Sequence, residues 1–203
     1  MTNKEIFTNI VNTYIKRDGI VPLMEWLETT DFFTAPASTR YHLSVEGGLL
    51  HHSLNVYNRL VKLYISEYGA VPEDKRETLA IIGLFHDFCK IYCYKPDWKN
   101  VKVYKENGSK TDNGGRFDWE TQPIFVFEER LVFGYHGVKS AYLISACLRL
   151  TDEEYISIAN HMGAHDRAPN DYSLGKLFEQ YNLAFLLHTA DCLATYIDER
   201  EDV

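Results

Sequence analysis

Three things are scarce in this chain, and each scarcity argues against a class of protein. No apolar run approaches the roughly 20 residues a membrane-spanning helix needs, so no membrane association is expected. The opening segment MTNKEIFTNIVNTYIKRDG is amphipathic and broken by charge, without the apolar stretch and small-residue cleavage site of a secretory signal. A cytoplasmic location is therefore expected. Cysteine is limited to Cys89, Cys93, Cys147 and Cys192, with no CxxC pair. A chain of this size without export features has no need of disulfide staples, so the four read as reduced, mostly core-packed thiols with no chemistry assigned. Positive charge is short as well: the formal net charge is −8, which argues against a generic basic nucleic-acid coat.

Aromatic residues, by contrast, are plentiful. Fourteen tyrosines, eleven phenylalanines and three tryptophans in 203 residues are far from the composition of a disordered chain. They suit one folded domain spanning 1–203, with an N-terminal helical extension over 1–30 and a core over 31–198. The cations cluster. Residues 90–116 carry seven lysines and arginines against three acids, so the rest of the chain has a balance of −12. Such a segment is either a solvated loop or a means of drawing in an anionic substrate.

Apolar spacing at Ile6, Ile10, Val11, Tyr14 and Ile15 predicts a helix over 3–17 that the Asp18-Gly19 pair ends. A short helix near Leu23–Leu27 and an ordered connection over 31–45 follow. Longer helices are expected over 49–68 and 73–89, the second ending in LAIIGLF, apolar on every side and so buried all round. From 91 to 129 the runs IYCY, VKVY and IFVF alternate with turn signals at Asn107-Gly108 and Asn113-Gly114-Gly115, which predicts a small β excursion. Helical spacing returns over 136–150. Thr151 and Glu154 form a T-x-x-E capping box for a helix that Gly163 is placed to end. After a turn-rich stretch around Pro169, Asn170 and Asp171, a last helix is expected over 183–199.

The chemistry gathers where ionisable residues meet these apolar faces. His86-Asp87 closes the most apolar helix, and buried ionisable groups cost several kcal/mol unless paired or bound to metal. His52 shares an inward stripe with Val56 and Leu60, whereas His51 lies on the polar stripe of Asn55, Asn58 and Lys62. Asp191 sits alone in LAFLLHTADCLATY, on a core-facing stripe. His136 opens one helix and His161 ends another. Histidine with aspartate suits divalent ions. Each residue alone reads more readily as a hydrogen-bonded structural group, and the weight lies in the combination.

The order H…HD…H…H…D resembles the HD superfamily of metal-dependent phosphohydrolases. EGGLLHHSLNV over 46–56 is similar to that family's GGLLxHSLxV helix, FHDFCK over 85–90 to its HDxGK motif, and GYHGVKS, IANHMG and LLHTADCLATY to its later histidine and aspartate segments. The resemblance, over about 31–198, implies an all-α HD-domain helical bundle with a small β-hairpin-like insertion around 91–129. It further implies that His52, His86, Asp87 and Asp191 hold one divalent ion, while His136, His161 and a bridging Asp87 hold a second. A mononuclear site, with His136 and His161 touching substrate, uses the same residue types. The implied metals are iron, manganese, zinc, nickel or magnesium. Asp87 and Lys90 would be catalytic, and Lys90 and Lys139 would bind a phosphorylated small molecule or oligonucleotide whose phosphoester is hydrolysed by metal-activated water. Two other readings remain: a di-iron oxygenase of the same type, and a non-catalytic binding module held together by metal. Cys89 departs from the glycine of HDxGK, which leaves the backbone path after Asp87 open. The second dipeptide, His165-Asp166, lacks matching context and reads as a solvent-facing loop. His42 and His188 read as supporting residues, with His188 placed to orient Asp191.

Overall fold

The computed structural model describes residues 1–40, 42–106, 108–109, 115–168 and 171–200. Among these, eight α-helices and one antiparallel pair of strands are formed. Asn107, Lys110, Asp112, Asn113 and Gly114 of the expected turns, and Pro169 and Asn170, lie outside the described residues. No helix of the described chain is long and apolar enough to cross a membrane.

Helix α1 (Asn3–Tyr14) starts on a capping box between Thr2 and Glu5 and stops four residues before Gly19. It ends early because the carboxylate of Glu77 accepts the backbone N–H groups of Lys16 and Arg17, at 2.7 and 2.9 Å, and pulls the chain out of helical register. Gly19 instead opens α2 (Ile20–Glu28) with φ +96°. A Cβ there would stand 2.0 Å from the carbonyl oxygen of Cys147, so only glycine fits.

Helices α3 (Gly48–Tyr68) and α4 (Glu73–Phe85) form the centre, with α1 packed on both. Every residue of Leu79–Phe85 is buried, as the all-round apolar pattern requires. Phe7, Phe32, Phe85 and Phe88 interlock beneath it with ring centroids 4.8–6.0 Å apart. The expected helix to Cys89 is cut short at Phe85. Asp87 leaves the helical region and Phe88–Lys90 form a single 3-10 turn. Residue 89 is not in the left-handed region, where the described non-glycine residues are Leu43 and Tyr92 alone, so cysteine replaces glycine here without backbone strain.

Strands β1 (Tyr94–Tyr104) and β2 (Phe117–Phe127) pair along their whole length, from Tyr94 opposite Phe127 to Tyr104 opposite Phe117. One long hairpin thus replaces the several short runs expected, and IYCY contributes only its last residue. Alternation along each strand sorts the side chains. Tyr94, Trp98, Lys102 and Tyr104 share one face with Phe117, Trp119, Phe125 and Phe127, while Asp97, Asp118 and Glu120 are on the other. Trp98 and Trp119 are 68% and 60% exposed.

Beyond the hairpin, α5 (His136–Ser145) ends five residues earlier than expected, and α6 (Asp152–Ala159), which has the predicted Thr151–Glu154 box, ends before Gly163. Gly163, at φ +58°, begins a second 3-10 turn that runs to Asp166. The turn-rich stretch contains an unforeseen helix, α7 (Ser173–Gln180), short and without one fully buried residue. Helix α8 (Asn182–Leu193) continues through a π turn over 194–198, reaching the expected end. It packs on α3 and α6, and α5 packs on α6 and on the turn after Asp87. Five segments that carry histidine or aspartate are thereby brought to one place.

Candidate metal centre

Three of the imidazoles are each aimed by a group behind them. His86 caps α4, with its Nδ1 3.0 Å from the carbonyl of Gly83. His161 follows α6, with Nδ1 2.7 Å from the carbonyl of Ile158. A carbonyl only accepts, so in both rings Nδ1 carries the proton and Nε2 presents a lone pair. His52, on the buried stripe of α3, has Nδ1 3.0 Å from each oxygen of Glu199, and its Nε2 faces inward.

The inward Nε2 atoms converge on two carboxylates. His52 Nε2 lies 3.3 Å from His86 Nε2, 3.2 Å from Asp191 Oδ1 and 3.5 Å from Asp87 Oδ2. Ligands about 2.1 Å from one ion at octahedral or tetrahedral angles stand roughly 3.0–3.4 Å apart, close to these spacings. On the other side Asp87 Oδ1 is 2.7 Å from His136 Nε2 and 3.5 Å from His161 Nε2. The two oxygens of Asp87 therefore face different histidine pairs, as a bridging ligand requires. His161 Nε2 is fully buried and has no hydrogen-bond partner among the described residues.

Electrostatics point the same way. Asp87, Asp191 and Glu199 bring three negative charges, and Lys90, whose Nζ is 2.7 Å from Asp87 Oδ2 and 2.9 Å from the carbonyl of Ala37, returns one. With neutral histidines the cluster lacks two positive charges, the charge of one divalent ion. Without such an ion, protons must serve. Burial opposes a charge on His52, yet its hydrogen bonds to Asp191 and Glu199 outweigh burial and push its pKa up to about 9. Burial holds His86 down at about 3. Burial works against Asp87 and Asp191 too, but Lys90 and His86 hold the first, and His52 the second, below the usual carboxylate range. Lys90 is held above the ordinary ammonium value because Asp87 outweighs its burial. The described residues thus fit a resident cation: lone pairs and carboxylates converge, and the histidine tautomers are preset.

A cavity of about 260 Å³ opens over the cluster, lined by Asp87, Lys90, His136 and Asp191. All six residues expected as ligands meet here. Lys139, expected to touch substrate, is buried with its ammonium 2.5 Å from Glu129 and does not line the cavity. Three readings change. His165 faces solvent, as expected, but it also lines the cavity, because the 3-10 turn after Gly163 folds that segment back. His188 does not orient Asp191: its Nδ1 is 2.6 Å from the carbonyl of His161, and so it fixes the backbone of that histidine. Cys89 is not chemically remote, since its sulfur is 3.2 Å from His136 Nε2.

Glu199 was not foreseen. It sits in the charged run DEREDV, which reads as a solvated end, yet the π turn rotates it inward until it is 5% exposed. An acid as the last residue of the helix expected over 183–199 was the available signal. His42 also lines the cavity, its ring 5.2 Å from that of His52 and its Nε2 3.9 Å from Glu199, with both nitrogens buried and without a hydrogen bond among the described residues. Comparison with protein-family models, with curated proteins and with solved structures finds no match. The candidate site therefore stands on its own geometry.

Proposed function

We propose that the chain is a metal-dependent phosphohydrolase that cleaves a phosphoester of a nucleotide or oligonucleotide. One observation carries this reading: the Nε2 atoms of His52, His86 and His161 converge with Asp87 and Asp191, and these two carboxylates and Lys90 line an open cavity above them. A site built only to brace helices has no need of a cavity above it. In this reading His52, His86, Asp87 and Asp191 would hold one divalent ion, and His136 and His161, with Asp87 shared, would hold a second. Bound ions of this kind make hydroxide available near neutral pH and polarise a phosphoryl oxygen.

The remaining work falls to the chain. Glu199 and the carbonyls of Gly83 and Ile158 keep three imidazoles turned with Nε2 inward. Lys90 keeps Asp87 anionic and adds the cationic charge a phosphoryl group needs at the cavity wall. Lys139 would reach a phosphate only by leaving Glu129. At about 260 Å³ the cavity is just below the usual size for a whole ligand, so it accommodates the phosphoryl end and leaves the remainder outside. The hairpin supports a nucleotide over a simple phosphomonoester: its exposed aromatic face carries Lys102 and no carboxylate, and aromatic faces stack nucleobases. Tyr94, at the start of that face, donates to the same Ala37 carbonyl that holds Lys90, which ties the hairpin to the site.

Elemental analysis of purified protein, with Asp87→Ala and His161→Ala beside it, tests the reading when joined to phosphate release from nucleotides and generic phosphoesters. The expected result is about two ions per chain, near one in His161→Ala and near none in Asp87→Ala, with metal-dependent phosphate release. Metal-dependent oxygen uptake without phosphate release would point to a di-iron oxygenase. Folded, metal-free, inert protein after reconstitution would leave a binding module.

A further inference from the structure

Cys89 lies on the His136 side of the candidate centre. The 3-10 turn Phe88–Lys90 sets its side chain toward α5, and its backbone N–H donates to Ser140 Oγ at 3.0 Å, one helical turn beyond His136. The sulfur consequently rests 3.2 Å from His136 Nε2, which is itself 2.7 Å from Asp87 Oδ1. Sulfur, imidazole nitrogen and carboxylate oxygen all lie within 4.8 Å of one another. A second observation points to a ligand there: His161 Nε2, fully buried and without a hydrogen-bond partner, faces the same Asp87 oxygen from 3.5 Å. The thiol itself is 4% exposed, so water competes poorly for that position.

We propose that Cys89 is a thiolate ligand of the metal ion held by Asp87, His136 and His161. This rests on the metal-centre reading and makes that position a mixed sulfur, nitrogen and oxygen site. Binding forms one metal–sulfur bond and releases the thiol proton to water, with no change of oxidation state; a coordinated thiol is deprotonated outright. Thiolate selects zinc, iron or cobalt over magnesium and calcium, which prefer oxygen alone. The site would therefore discriminate against the most abundant cellular divalent cations. Cys192, the thiol that lines the cavity, follows Asp191 on α8 and belongs to none of the clustered donor groups, so it serves as a control.

Cobalt(II) titrated into chelator-stripped protein separates the two layers of the argument. Visible d–d bands report that cobalt binds, and a near-ultraviolet sulfur-to-cobalt band reports that thiolate is a ligand. Wild type and Cys192→Ser should show both, whereas Cys89→Ser should keep the d–d bands and lose the near-ultraviolet band entirely. X-ray absorption of the zinc-loaded wild type should show a sulfur neighbour at about 2.3 Å, a readout that does not depend on any variant folding. Cobalt bound without the sulfur band, or a sulfur band that survives Cys89→Ser, would overturn the thiolate ligand and leave the metal centre standing. Failure of wild type to bind cobalt or zinc at all would overturn both.

Discussion

Glu199→Gln isolates the support behind His52 without touching a ligand. The wild-type carboxylate has four acceptor positions and faces two donors: His52 Nδ1–H, 3.0 Å from both oxygens, and Asn55 Nδ2, 2.9 Å from one. Glutamine replaces one oxygen with an NH2 group. Whichever way the amide turns, a donor then faces one of these N–H groups, so the amide either swings away or leaves His52 to rotate. Loss of such an outer partner typically lowers metal affinity by about 10- to 100-fold, or roughly 1.4–2.7 kcal/mol. The negative charge that favours a cation is lost as well, which places the expectation near the upper end. Competition against a chromophoric chelator measures the affinity directly, with circular dichroism to show that the helices remain. Asn55→Ala is the control, because it removes a contact to Glu199 and none to His52, and it should cost less than Glu199→Gln. A Glu199→Gln affinity within twofold of wild type would refute the idea that this carboxylate presets the tautomer of His52.

Metal-free protein should be most stable near pH 6.5 in urea titrations. His52, raised from 6.5 to about 9, contributes stability that is complete below 6.5 and lost as pH rises through 9, by up to roughly 3 kcal/mol; His86 and His42, depressed to about 3 and 4, contribute stability present above 6.5 and lost as pH falls toward those values. Saturating metal should flatten the alkaline limb, since His52 then has no proton to lose. Gly137→Ala should both destabilise the fold and weaken metal binding, because a Cβ at 137 would stand 2.2 Å from the carbonyl oxygen of Ile158 and would drive His136 on α5 away from His161; the clash is expected to cost about 1–3 kcal/mol. Glu154→Ala should lower unfolding free energy by about 3–5 kcal/mol, read by urea denaturation, with metal stoichiometry unchanged. Buried Glu154 accepts from Arg17 at 2.6 and 3.0 Å and from Thr78 at 3.0 Å, and none of its hydrogen-bond partners is a candidate ligand.

How much of this was legible in the chain depends on the range of the interaction that decides each feature. Local chemistry was readable: the Thr151–Glu154 box and the inward stripe of His52 follow from spacing within one or two turns, and both appear in the fold. The all-apolar LAIIGLF read correctly as a buried segment for the same reason. Helix ends were decided from afar. Glu77 captures the amides of Lys16 and Arg17 from 60 residues away, and no capping rule applied to 3–17 contains that carboxylate. The six expected ligands do gather at one point, which pattern alone made plausible and packing of α3, α4, α5, α6 and α8 brings about. What lay beyond reach was the layer behind them. Glu199 faces inward only because five residues of π geometry advance the chain past the ordinary helical period, and Cys89 approaches His136 only because its amide is tied to Ser140 across 51 residues. The candidate ligands were thus written in residue type and spacing, whereas the groups that orient them were set by tertiary contacts. The features that distinguish this centre from a generic histidine–aspartate cluster belong to that second kind, and so the variants worth making first are Glu199→Gln and Cys89→Ser rather than the histidines themselves.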